Sequence, residues 1–181
     1  RSDWPEPAVA LERPRDMQYT LITANRNYSS WSLRPWVLMT MLGIPFEDRV
    51  EPFAASNNYQ AFRAFSPTGQ VPALLDGQRT VWDSLGITLY LADRHDQLTF
   101  AAGTIERAQQ DSFTQFACDE VDGALWTAAK HRFALPEHLR IPEVKATANA
   151  EFGRAMAVLE TRLGDNEFVM GNTMTVPDIL L

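Results

Sequence analysis

Apolar positions change their spacing along the chain, and the change divides it into two regions. Tyr19 to Thr23 is a short β-rich run, and Phe46 to Val50 is a second. Between them Leu33-Arg34-Pro35-Trp36-Val37-Leu38-Met39-Thr40-Met41-Leu42 predicts a helix, with the proline in its first turn and Gly43 at its end. Tyr59 to Phe65 reads as a short helix ahead of a turn at Ser66-Pro67-Thr68-Gly69. Val71 to Leu75 and Thr80 to Trp82 then flank Asp76-Gly77, a hairpin whose connection reads as longer than two residues. After Asp83-Ser84, a capping pair, Leu85, Thr88, Leu89 and Ala92 recur at helical spacing. Strand, helix, strand, strand, helix is the order of a small α/β layer.

From about residue 97 only helical spacing remains, so a domain boundary is placed between residues 17–96 and 97–181. Thr104-Ile105-Glu106 opens a helix that runs to about Phe133, with Ile105, Phe113, Phe116, Ala117, Val121, Ala124 and Leu125 as its apolar stripe. Pro142 to Leu163 forms the next, ended by Gly164. Thr175-Val176-Pro177-Asp178 is a further capped helix start with only Ile179-Leu180-Leu181 after it, which reads as a truncated product. Residues 1–16, proline-rich and charged without an apolar core, read as an extension.

Composition narrows the partners. The chain has 181 residues, 45% hydrophobic and 22% charged, enough for one or two globular domains. Its formal net charge of -7 argues against broad electrostatic capture of nucleic acid or anionic lipid. One cysteine, Cys118, rules out an internal disulfide, a CxxC redox pair and a multi-cysteine zinc cage; it suits a reducing compartment and reads as a small buried hydrophobe. No apolar run approaches the roughly 20 residues that span a bilayer. His95, His131 and His138 lack metal-ligand spacing with carboxylates or Cys118, so no metal is implied.

Three segments carry the candidate chemistry: Tyr28-Ser29-Ser30-Trp31-Ser32-Leu33-Arg34, Ser66-Pro67-Thr68-Gly69-Gln70-Val71-Pro72, and Asp83-Ser84. Taken singly they are loop, turn and cap. In this order and context, from Met17 to Leu181, they resemble the glutathione transferases. The serine pair followed by Arg34 is similar to the zeta-type pattern, with Trp31 where that pattern has a cysteine. The resemblance implies an α/β thioredoxin-like N-terminal domain followed by an all-α helical-bundle C-terminal domain, lacking the end of the latter. It implies glutathione as co-substrate, a hydrophobic electrophile held between the domains, and a cytosolic homodimer.

Residue by residue, the resemblance makes Ser29 the first choice for the hydroxyl that favours glutathione's thiolate, Ser30 the second and Tyr28 the third. Ser32 reads as the helix N-cap. Arg34 reads equally as a brace for the loop or the thiolate site and as a surface or structural arginine. Val71-Pro72 corresponds to a cis-proline turn whose backbone meets the cysteinyl unit, although only about 5% of X-Pro bonds in folded proteins are cis. Gln70 is placed for glutathione's polar ends, Ser84 for the γ-glutamyl carboxylate and Asp83 for the ammonium. Trp31, Phe113, Phe116 and Trp126 are candidates for the second-substrate pocket, with core packing as the competing reading of each. The rival functions are a glutathione-binding or regulatory protein without turnover and a glutathione-dependent isomerase or reductase.

Overall fold

A computed structural model describes residues 19–54 and 58–181. The extension read over residues 1–16 lies outside them. The chain divides into two compact units, the first ending at His95 and the second covering Asp96–Leu181.

The first unit is built on a four-stranded sheet in the order β2-β1-β3-β4. Strand β1, Tyr19–Thr23, is buried along its whole length, as its central place and the run Tyr-Thr-Leu-Ile-Thr demand. It pairs parallel with β2, Phe46–Val50, and antiparallel with β3, Ala73–Asp76, which pairs antiparallel with β4, Arg79–Trp82. Asp76 opposes Arg79, so only Gly77 and Gln78 form the connection. The hairpin is therefore shorter than its sequence suggested. Gly77, at φ 62°, takes the first central position, where a two-residue reversal accepts glycine.

Alternation along the strands separates two apolar faces. Ile22, opposite Ala73, packs with Phe62 and Phe65, the first of them in the short helix α2, Tyr59–Phe62. Helices α1, Ser30–Met41, and α3, Ser84–His95, pack on one another and on the strands, burying Leu38, Met39, Ile87 and Leu91. Helix α1 begins three residues earlier than the proline suggested. Pro35 thus lies in its second turn and gives no N–H to the ladder. Strand β2 is an outer strand carrying Glu47, Asp48 and Arg49. Each is held: Thr20 donates to Glu47 at 2.9 Å, Arg26 pairs with Asp48 at 2.8 Å, and Arg49 pairs with Glu51.

At the far end of β3, the Tyr90 hydroxyl donates to Asp76 at 2.5 Å, while Arg94 donates to the buried Tyr19 hydroxyl at 2.9 Å. Burial, and after it the hydrogen bond and charge of Asp76, push the Tyr90 phenol up to about 12. A phenol harder to ionise folded than unfolded supports the fold below pH ~10 and loses that support as the pH climbs toward the folded value. Denaturant titrations at stepped alkaline pH should therefore show parent stability falling across that window, with a shallower fall in Tyr90→Phe. Equal slopes would remove Tyr90 as a source of alkaline sensitivity.

The second unit is helical. Thr104 caps α4, Ile105–Phe116, by accepting from the Arg107 N–H at 3.2 Å. The helix then runs through a π turn, Ala117–Val121, into α5, Asp122–Ala129, and a second π turn, Lys130–Ala134. Each wider turn rotates the apolar stripe relative to an uninterrupted helix. Helix α6, Pro142–Leu163, packs on α5, with the small buried residues Ala124, Ala128, Ala148 and Ala155 on the two helices. Val121, Ala155, Leu159 and Val169 form a cluster against which Phe113 and Phe116 pack, while Trp126 remains exposed. Gly164 closes α6 at φ 51°. Helix α7, Val176–Leu180, starts from a capping box in which Asp178 accepts from the Thr175 N–H at 2.8 Å and hydroxyl at 3.0 Å. Among the described residues no helix is long and apolar enough to cross a membrane.

Candidate functional site

The connection from β1 to α1 is tightened by Asn25. Its carbonyl accepts the N–H groups of Tyr28 and Ser29 at 2.9 and 3.0 Å, and its side chain accepts from the Phe53 N–H at 2.9 Å. The turn ends on Ser29, which is extended (φ −115°, ψ 92°) and accepts the Ser32 N–H on its hydroxyl oxygen at 3.2 Å. Ser29, not Ser32, is therefore the N-cap. Sequence favoured Ser32 because a start there would put Pro35 in the tolerant first turn. Tertiary structure assigns Ser32 elsewhere: its hydroxyl oxygen lies 3.3 Å from the Ala24 N–H and 3.0 Å from the Ser29 hydroxyl, and both serines are buried.

Ser29 opens on a cavity of about 650 Å³. Gln70, Val71, Pro72, Asp83 and Ser84 line the same cavity. These residues come from three separate segments, and the fold brings them together. Three other sequence candidates are placed differently. Ser30 is the exposed first residue of α1, Tyr28 is 80% exposed, Arg34 is half-buried, and none of them lines the cavity. The Val71–Pro72 bond is cis.

The α3 side of the cavity has an unusual backbone. Asp83 is held at φ 70°, a left-handed conformation that aspartate tolerates better than most residues. One of its carboxylate oxygens accepts the Leu85 N–H at 2.9 Å, and its carbonyl accepts the Ile87 N–H at 3.0 Å. Asp83 is thus the cap of α3 as well as a wall of the cavity. Ser84, the first helical residue, is buried beside it. Asp83 is the one charged residue among the described residues lining the cavity. The first turns of α1 and α3 supply its positive potential.

Sequence reading missed the aromatic wall. Phe53, Tyr59, Phe62 and Trp82 line the cavity, together with Asn58, Thr68 and Gly69 and with Trp31, the one aromatic of the wall that sequence had offered as a pocket candidate. The Tyr59 ring lies against Gly69, where even a methyl group has no room, and the Arg63 guanidinium stands 6.0 Å from the centre of the ring. Asn58, the residue before α2, accepts the Ala54 N–H at 2.9 Å. The only early signals were Tyr59 and Phe62 at helical spacing before the turn, and Trp82 next to Asp83. An aromatic residue beside a strand or helix reads first as core.

The arrangement suits an anion at the start of α1, near a serine hydroxyl, and a zwitterionic head group at the start of α3 near Asp83. No thiol lines the cavity: Cys118, the chain's one cysteine, is in the second unit.

Comparison with known proteins adds an independent line. Residues 28–94 match the family described as glutathione S-transferase, N-terminal domain. A dichloromethane dehalogenase of Methylorubrum extorquens is 34% identical over 154 residues, 78% of this chain and 53% of the relative. Elongation factor 1-gamma 2 of Oryza sativa subsp. japonica is 25% identical over 127 residues, 70% of this chain and 30% of the relative. The chain spans about half the length of the first and less of the second. Among solved structures, the glutathione transferase URE2P6 of Phanerochaete chrysosporium, in complex with oxidized glutathione, is similar at a TM-score of 0.76 and 26% identity, over 91% of this chain and 76% of that one.

Proposed function

We propose that this chain, whose residues 28–94 match the glutathione S-transferase N-terminal domain, is a glutathione transferase that ionises the thiol of glutathione and directs the thiolate at an electrophilic carbon. The observation that carries the reading is the gathering of Ser29, Val71, Pro72, Asp83 and Ser84 around one cavity. A cytosolic homodimer and a hydrophobic second substrate belong to the same proposal.

The chemistry follows from what each group can do. A free thiol has a pKa near ~8.5, so most glutathione at neutral pH is the weak nucleophile. A hydroxyl bond to an anion contributes about 1.5–3 kcal/mol and a helix N-terminus about 0.3–1, against ~1.4 per pKa unit. Ser29 at the head of α1 would therefore lower the bound thiol by roughly one to two units. At the other end, the Ser84 hydroxyl and the first N–H groups of α3 would take the γ-glutamyl carboxylate, and Asp83 the ammonium. Gln70 and the Val71 backbone would fix the peptide between them. Held in this way, the sulfur attacks without covalent help from the protein, and catalysis consists of ionisation and orientation.

Titrating the ultraviolet absorbance of bound thiolate tests the reading. Ser29→Ala should raise the bound thiol pKa by about one to two units and lower turnover about tenfold to a hundredfold at neutral pH, in line with the lost hydrogen bond. An unchanged pKa removes Ser29 from the mechanism. Failure of the parent to bind glutathione removes the proposal.

The similarity to a protein named as an elongation factor favours a second reading, in which glutathione is bound and not turned over. A panel of electrophiles separates the two. A glutathione-dependent isomerase or reductase is separated by the same panel, with Trp31→Cys probing the isomerase, since Trp31 stands where the zeta-type pattern has a cysteine.

A further inference from the structure

Ser32 does not line the cavity, yet among the described residues its side chain bonds to Ser29 and to Ala24, the residue just past β1. Its hydroxyl oxygen is fully buried, 3.0 Å from the Ser29 oxygen, and accepts the Ala24 N–H at 3.3 Å. Its own N–H donates to Ser29 at 3.2 Å. A hydroxyl has one proton and two lone pairs. In the structure the Ser29 hydroxyl donates its hydrogen bond to the Ser32 oxygen, and a hydroxyl that donates there has no second proton for a ligand.

We infer that Ser32 is a positioning residue, a hydroxyl that exchanges donor and acceptor roles with Ser29 when an anion enters the cavity. The inference rests on the proposed role of Ser29 as thiolate donor. As the sulfur arrives, the Ser29 O–H turns outward to it, and the Ser32 O–H turns to donate to the Ser29 oxygen. Ser29 then accepts from both the N–H and the O–H of Ser32, which fills its lone pairs and directs its single proton at the sulfur. Two donors on one oxygen polarise the hydroxyl and strengthen the bond it gives. No proton leaves either oxygen, and no covalent bond forms or breaks. The pair lies in a buried place where water cannot substitute for the second hydroxyl.

Thiolate titration of bound glutathione, with denaturant unfolding alongside, tests this in four variants: Ser29→Ala, Ser32→Ala, Ser32→Cys and Ser32→Thr. Ser32→Ala should raise the bound thiol pKa by about half a unit, from the lost cooperative donor, with glutathione affinity below the transition within about twofold. Ser32→Cys, a poor donor, should resemble it, and Ser32→Thr should return the pKa to the parent value. The pH profile of kcat/KM should move by the same amounts. If Ser32→Ala does not fold, the comparison of Cys with Thr carries the test. A shift in Ser29→Ala with none in either Ser32→Ala or Ser32→Cys, or a shift that Thr fails to reverse, overturns the inference and leaves Ser29 in place. No shift in Ser29→Ala overturns the thiolate reading itself.

Discussion

Gly69→Ala should destabilise the first unit by about 3 kcal/mol and weaken the glutathione binding proposed for the cavity, whereas Gly77→Ala should cost about 1 kcal/mol and leave that binding unchanged. Both glycines have a left-handed backbone, at φ 65° and 62°, so both substitutions carry a similar conformational cost. They differ in what the new methyl meets. At Gly77 nothing lies within 4 Å; at Gly69 the methyl would stand 2.4 and 2.7 Å from two Tyr59 ring carbons and 3.0 Å from the Tyr59 carbonyl. The ring could swing away, but only by leaving the cavity wall, and the carbonyl belongs to α2 and cannot. Urea unfolding of the two variants, with calorimetric titration of glutathione, reads both effects. Equal destabilisation would mean that the Tyr59 contact contributes nothing, and adding Tyr59→Ala to Gly69→Ala should recover part of the stability lost.

A comparable loss is expected in the second unit from Asp178→Ala. One carboxylate oxygen accepts from both the Thr175 N–H and its hydroxyl, and the other accepts from the Val169 N–H at 2.9 Å. Thr175 is 2% exposed, so water is poorly placed to replace the carboxylate. Stranding buried donors costs roughly 1–3 kcal/mol each where they stay dry, and the missing cap adds about 1, so a loss of about 3 kcal/mol is expected in denaturant unfolding. Asp178→Asn keeps an oxygen for one side of the bridge and should lose less. If the two variants unfold at the same midpoint, the bridge to Val169 and Thr175 is not what holds α7 to its loop.

Period and punctuation made much of the fold legible. The four strands, the glycine reversal and the capped start at Thr175 all follow from local rules that the tertiary structure did not override. Where reading failed, the deciding contact was remote in sequence. Ser32 has the composition of a cap, but Ala24 and Ser29 occupy its hydroxyl, and the cap moves back to Ser29. The two π turns were not read, although each rotates the stripe: the expected members Ile105 and Leu125 are exposed, and a break in a stripe of mixed small and large apolar residues passes for ordinary irregularity. In the cavity, polar members announced themselves by motif, whereas Phe53, Tyr59, Phe62 and Trp82 did not, because an aromatic facing a cavity and one facing a core have the same neighbours in sequence.

The outer strand β2 bears on how the molecule behaves when concentrated. An open strand margin offers an unsatisfied ladder to any other chain, and fibres grow by that route. Here an incoming strand would meet Glu47, Asp48 and Arg49, already fixed by Thr20, Arg26 and Glu51, and Trp36 donating to Asp48 at 3.0 Å. Docking along it would require burying these charges or breaking their bonds, so the side chains of the margin themselves resist polymerisation.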